Sequence, residues 1–463
     1  MLSSTFTLPT LNVPAFSAAS SSMTGPIMRQ GPHHGAQKST STGTAELSTS
    51  LWKLSSVNSR AFPIVGVGSC RFSGGWFRDT IRIRSPGGLD LSRPAAAEYS
   101  GLTPFRPVGV GPFPREEKNM PTDVGFPGNE AGKRCWRVRR ADDGEIVAGV
   151  EPLGWDPAAV AADEVVIRVE AAGFNYKDAL AATGHPGVMR VSPLVPGIDV
   201  AGRVVGGGGL ASGAAVVVTG NGLGETRDGG FAGFVRVPAA AVIPRPAMLS
   251  TEAAMACGTA GLTALIACDR LAMLVDGRHA RPDEEWLVTG ASGGVGMMAV
   301  AVLAAAGHRV VACSRKLSAV VTVTALGAAA VVRPDEIIDP TPKSLVKGRW
   351  AGVVDTVGGP LLADVLRAVR PGGAVAAIGM AGGADLLTSV HPFILRGVTL
   401  AGIDAASIPT QAERAALWDR LADLWPRVAA AFPVTRLALD DAGGWAQRML
   451  AGETMGRGIV IPE

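Results

Sequence analysis

The stretch WLVTGASGGVGMMAVAVLAAAGHRVVACSRK, residues 286–316, constrains the fold of this chain more than any other. An apolar run at 286–290 predicts a buried strand. It leads into Gly290-Ala-Ser-Gly-Gly-Val-Gly296, then a small-residue helix closed by Gly307, then a second strand in HRVVACS. Strand, glycine loop, helix and strand in this order make one parallel βαβ unit. Glycines are needed where the turn is tight and where backbone must approach a pyrophosphate. The helix start then offers unpaired N–H groups and the positive end of its dipole. In this context the loop is a strong sign of a dinucleotide site.

The end of the second strand indicates which dinucleotide. A site for NAD places a carboxylate there to bind the ribose 2′-hydroxyl. This strand ends in Ser314-Arg315-Lys316, a hydroxyl and two cations without a carboxylate. Those groups suit a 2′-phosphate, so the expected cofactor is NADPH.

The chain around this unit has two textures. After Leu249 strands and helices alternate, with AGVVDTVGG and GGAVAAIGM as further strands ended by glycines, which predicts a parallel α/β sheet. Before it, CWRVRR, EVVIRVE and the turn-rich 220–244 predict a β-rich part. Residues 1–132 fit neither. They are rich in Ser, Thr, Pro and Gly, and up to residue 90 the acidic residues are only Glu46, Asp79 and Asp90 against several arginines and lysines. This composition reads as a disordered leader: an organellar transit peptide, a disordered tail, or sequence translated from an upstream start.

Charge and cysteines narrow the class. With 43 basic and 40 acidic residues the net charge is +3, which argues against a nucleic-acid or polybasic membrane surface. Cys70, Cys135, Cys257, Cys268 and Cys313 are scattered, reading as free thiols. The uncharged run from Ala253 to Cys268 is interrupted by glycines and falls short of a membrane span, so a soluble protein is expected.

The polar run Asn175-Tyr176-Lys177-Asp178 stands out in an Ala-, Val- and Gly-rich chain. A β-rich part, a nucleotide part and a return segment resemble the medium-chain dehydrogenase/reductase superfamily. Its zinc members carry a Cys three residues before an Asp, then Gly-His-Glu. The matching places here hold Asn175 before Asp178, and Gly197-Ile198-Asp199. An amide and an aliphatic chain are not zinc ligands, so no metal is expected. NYKDALAATG, VPGIDVAG, GTAGLTA, VTGASGGVG, VDTVGG, HPFILRGVTLAGID and MGRGIV, in order from 175 to 460, resemble the acryloyl-CoA reductase branch of the quinone-oxidoreductase-like reductases.

The resemblance implies an α/β fold: a Rossmann-type NADP-binding domain at 257–389 and a β-rich GroES-like catalytic domain at 133–256 and 390–463. It implies NADPH-dependent reduction of acryloyl-CoA to propionyl-CoA by a cytoplasmic homodimer, or in a mitochondrion or plastid if the leader is a transit peptide. A quinone or enone reductase on the same fold stays open. The partner is then an acyl-CoA or other small unsaturated carbonyl, with no nucleic acid and no membrane. Tyr176 is implied as catalytic and cofactor-contacting; Arg333, Leu400 and Arg457 join Ser292–Val295 and Ser314–Lys316 at the cofactor. Arg190, Arg203 and Arg396 are candidates for the rim of a pocket for an anionic substrate.

Overall fold

The computed structural model describes residues 133–462 except 162, 280–282 and 409; the leader assigned to 1–132 lies outside the described residues. In chain order the first part holds strands β1 (Arg134–Arg140), β2 (Ile146–Pro152) and β3 (Glu164–Phe174), helix α1 (Tyr176–Ala182), and strands β4 (Asp199–Gly207), β5 (Ala215–Thr219), β6 (Phe234–Pro238) and β7 (Ile243–Pro244). Helix α2 (Thr251–Leu274) follows. Then come β8 (Glu285–Thr289), α3 (Gly294–Ala305), β9 (Arg309–Cys313), α4 (Val320–Ala325), β10 (Ala330–Val332), β11 (Trp350–Asp355), α5 (Gly359–Arg367), β12 (Val369–Ala377), α6 (His391–Arg396) and β13 (Thr399–Gly402). The chain closes with α7 (Gln411–Val428), β14 (Val434–Leu437), α8 (Ala442–Leu450) and β15 (Arg457–Val460).

Two sheets carry the site. The parallel sheet has six strands in the order β10-β9-β8-β11-β12-β13, with the glycine loop leaving β8, one of its two central strands. Its central strand β11 is buried at every residue, as expected when helices cover both faces. The second sheet runs β14-β15-β3-β4-β5-β7, with β6 paired to β3. Its strand β15 returns from the C-terminus to lie antiparallel on β3, setting Gly458 opposite Phe174.

The sheets divide the chain differently from the sequence reading at one place. Strand β13 pairs parallel with β12, Leu400 opposite Val375, so the six-stranded sheet runs on through Gly402 and past residue 389. Only from Val434 does the chain rejoin the β-rich sheet, where β14 pairs with β15.

Helix α2 explains how the two parts share a core. By length and composition it could cross a membrane, but it lies mostly buried. Its Leu262 and Leu265 belong to one core cluster with Ala171 and Val217 of the β-rich sheet and Val288 and Val354 of the parallel sheet. Small residues along it let both sheets approach. Ser250 caps its start, accepting from Ala253 N at 3.1 Å.

Candidate functional site

The loop after β8 folds as its glycines require. Gly290 has φ +59, and a Cβ on Gly296 would collide with the backbone of Gly290 and Ala291. The helix therefore starts tight against its own strand. The first intrahelical bond of α3 runs from Met297 N to Gly293 O, leaving the N–H groups of Gly294, Val295 and Gly296 ahead of it without intrahelical acceptors. Ser292 is half-buried at this mouth. Asp355, at the end of β11, holds the loop from beneath. Its Oδ1 accepts from Thr289 Oγ1 at 2.6 Å and its Oδ2 from Gly358 N at 2.8 Å, while burial pushes its carboxyl above the ordinary value. Thr356 Oγ1 donates to Thr289 O at 2.8 Å.

The cationic cluster gathers at the adjoining strand ends. Ser314 N donates to Val332 O at 3.0 Å, so Arg333 begins beside Ser314 across the β9–β10 pair. Ser314 is buried and its Oγ accepts from Lys316 N at 3.1 Å. Arg315 is exposed. Lys316 Nζ donates to Thr454 O, and burial, then the neighbouring Arg315, lower its ammonium below the ordinary value. Arg333 pairs with Asp335 at 3.1 Å. These groups fit a 2′-phosphate: three cations and a hydroxyl at the C-terminal ends of β9 and β10, next to the open start of α3.

The C-terminal segment joins this cluster to the Tyr176 turn. Gly456 N donates to Ser292 O at 3.0 Å, and Gly293 forms a parallel bridge with Gly456. The next residue, Arg457, is buried. Its Nη1 donates to Phe174 O at 2.8 Å and Asn175 Oδ1 at 2.7 Å; its Nη2 donates to Met255 O at 3.2 Å and Asp199 Oδ2 at 3.1 Å. Only Nε lacks a protein partner. The Asp199 carboxylate also accepts from Asn175 Nδ2 and Thr259 N, both at 2.8 Å, and from Thr259 Oγ1. Room for this cluster comes from Gly258. It breaks the helical path of α2 with φ +47, and a Cβ there would lie 2.7 Å from Arg457 Nη2.

Asp178 fixes the same turn from the other side. Its Oδ2 accepts from Asn175 N at 2.8 Å, and its Oδ1 accepts from Gly197 N and Ile198 N, both at 2.9 Å. Burial pushes its carboxyl up to about 7, against the pull of those three N–H donors. Tyr176 is the first residue of α1, directly after Asn175. It is half-buried, and its hydroxyl has no hydrogen-bond partner among the described residues. Lys177 turns away to Glu225, at 3.0 Å.

The structure thus links Tyr176, Ser292–Val295, Ser314–Lys316, Arg333 and Arg457 through a series of backbone and side-chain contacts. It does not bring Leu400 there: that side chain sits in mid-β13 against the cluster of Leu287, Val353 and Val375. Arg457 joins the site as a buried brace. Of the rim candidates, Arg396 is spent on the carbonyls of Arg367, Val369 and Val346, and Arg203 on Glu170. The sequence reading missed Asp355 and Thr259. Their signals were the motifs VDTVGG and GTAGLTA, but a motif does not say what its polar residue grips.

Comparisons with known proteins agree with this arrangement. Residues 161–247 match the alcohol dehydrogenase GroES-like domain, and residues 294–423 match the zinc-binding dehydrogenase domain. The acrylyl-CoA reductase AcuI of Ruegeria pomeroyi is 39% identical over 322 residues, covering 69% of this chain and 96% of that protein. This chain belongs to the quinone-oxidoreductase-like medium-chain dehydrogenase/reductase family. A second member, "Putative quinone oxidoreductase YhfP" of Bacillus subtilis, is 39% identical over 302 residues, 64% of this chain and 90% of that protein. Its crystal structure with NAD bound aligns with a TM-score of 0.64, over 71% of this chain and 98% of that one. Escherichia coli YhdH, solved with bound NADPH, is 37% identical and aligns with a TM-score of 0.65, over 71% of this chain and all of that one.

The α/β reading, a Rossmann-type sheet with a GroES-like part, is therefore the fold of the family member. The name of one matching domain implies zinc, and the residues here do not fit it. Asn175 spends both ends of its amide on protein partners, and Ile198 has no lone pair to offer. Among the described residues no group of three or more His, Cys, Asp and Glu side chains could hold a metal ion.

Proposed function

We propose that this chain is a zinc-independent, NADPH-dependent reductase of the C=C bond of an α,β-unsaturated acyl thioester, with acryloyl-CoA, reduced to propionyl-CoA, as the favoured substrate. The observation that carries the cofactor half is the convergence of Ser314, Arg315, Lys316 and Arg333 beside the open start of α3. The acceptor half rests on the likeness to the acrylyl-CoA reductase.

In this reading Ser292–Val295 hold the pyrophosphate through N–H groups, and Arg315 and Lys316 hold the 2′-phosphate, Lys316 exchanging Thr454 O for it. Arg457, whose side chain packs against the first turn of α3, braces that loop from beneath rather than reaching the cofactor. NADPH, when bound, supplies the hydride to the β carbon. Tyr176 then orients the nicotinamide, gives a proton to the reduced substrate, or does both; its unpaired hydroxyl suits either role. The Asp178 and Arg457 networks keep that phenol in place.

Activity as a homodimer in the cytoplasm follows the family resemblance. Exposed Leu387, Val390, Ile394 and Leu395, beside the edge strand β13, supply an apolar face in keeping with a second copy. A second acceptor reading, reduction of quinones or enones, is favoured by the name of the Bacillus relative. NADPH oxidation by the purified chain with acryloyl-CoA, crotonyl-CoA and benzoquinone in parallel decides between them. A higher kcat/KM for benzoquinone than for acryloyl-CoA overturns the thioester reading.

A further inference from the structure

Two loops meet beside the Tyr176 turn. Arg190 N donates to Glu225 O at 3.0 Å, which joins the segment after α1 to the loop after β5. Lys177, the neighbour of Tyr176, reaches the Glu225 carboxylate on the same loop. Arg227 follows two residues later, pinned by Gly224 N donating to its carbonyl at 2.9 Å.

The charges on these loops do not cancel. Glu225 is taken by Lys177. Asp228 is engaged elsewhere, accepting from Val195 N at 2.8 Å and pairing with Arg137 at 3.4 Å. Arg190 and Arg227 are left exposed, and neither guanidinium has a hydrogen bond or ion pair among the described residues. Two exposed guanidiniums without partners, carried on loops that are joined by a backbone hydrogen bond, leave their donors available to a polyanion. A planar donor fork is the group best matched to phosphate oxygens.

We propose that Arg190 and Arg227 form a phosphate-docking rim for the nucleotide end of a CoA-type acyl thioester. The inference rests on the thioester reading above and deepens it: the rim selects the carrier, while the Tyr176 turn handles the acyl group. Neutral quinones gain nothing from it.

The test compares two thioesters of one acyl group, acryloyl-CoA and acryloyl-N-acetylcysteamine, the second lacking phosphates, with R190E, R227E and the double variant. For the double variant, KM for acryloyl-CoA is expected to rise roughly tenfold or more. Its kcat, and its kcat/KM with the N-acetylcysteamine thioester, should stay within about twofold of wild type. The wild-type preference for acryloyl-CoA should fall with added salt, and R190K/R227K, which keeps the charge without the planar fork, should retain part of it. A parallel loss with both thioesters, or no loss with either, overturns the rim while leaving the thioester reading intact. If the wild-type chain reduces neither thioester, that reading falls. Calorimetry with CoA alone then judges the rim: weaker binding by the double variant than by wild type supports it, and equal binding overturns it.

Discussion

Arg457 Nη2 stands 3.1 Å from Asp199 Oδ2, both side chains buried, and the pair ties the last strand of the chain to the turn that presents Tyr176. The same arginine follows Gly456, which bonds to the glycine loop. One residue therefore spans the cofactor side and the acceptor side.

Removing one member of this pair leaves a buried charge without compensation. Arg457→Met should destabilise the protein by roughly 3–5 kcal/mol in urea unfolding. Adding Asp199→Asn should return part of that loss, because the stranded carboxylate is gone. A loss in R457M below about 1 kcal/mol would show that the pair contributes little to stability.

Gly258 is where α2 gives way to the pair. Gly258→Ala combines a positive φ with a collision against Asp199 and Arg457, neither of which is a free side-chain end. A cost of roughly 1–3 kcal/mol is expected, with weaker NADPH binding by fluorescence titration. Unchanged stability would mean the helix can straighten there.

Cofactor choice should reside in Arg315 and Lys316. The double alanine variant is expected to lose roughly 10- to 100-fold in kcat/KM with NADPH while its value with NADH moves less than about threefold. Steady-state kinetics with both cofactors reads this directly, and equal losses with the two would refute the assignment.

Tyr176→Phe removes only the hydroxyl. If the phenol donates the proton, kcat should fall by roughly 10²-fold with little change in NADPH KM. If it only holds the nicotinamide, KM should move instead. Neither parameter moving would take Tyr176 out of the mechanism.

Asp178 sets a pH dependence of stability. Its carboxyl is raised from 3.8 to about 7 in the folded chain, chiefly by burial. The unfolded chain ionises first, so this contribution is complete below about pH 4, declines as pH rises, and is gone above about pH 7. The stability of wild type relative to Asp178→Asn should therefore fall by the order of a few kcal/mol from about pH 4 to about pH 7 in urea titrations. Parallel curves would show that the three N–H donors hold the carboxyl near its ordinary value.

Local pattern alone determined the βαβ unit, the glycine loop and the absence of an acid after β9, because each is contiguous in the chain and dictated by backbone geometry. The two-part layout followed from the change in texture at Leu249 and from motif order. Tertiary structure decided what contiguity cannot carry. It put β13 and Leu400 into the parallel sheet, since an isolated apolar strand has no intrinsic sheet. It turned Asn175, read as a lost metal ligand, and Arg457, read as a cofactor contact, into two sides of one buried network with Asp199. A buried polar side chain must find partners wherever packing brings them: Asn175 and Asp199 lie 24 residues apart, while Arg457 comes from more than 250 residues further on, where no local pattern bears.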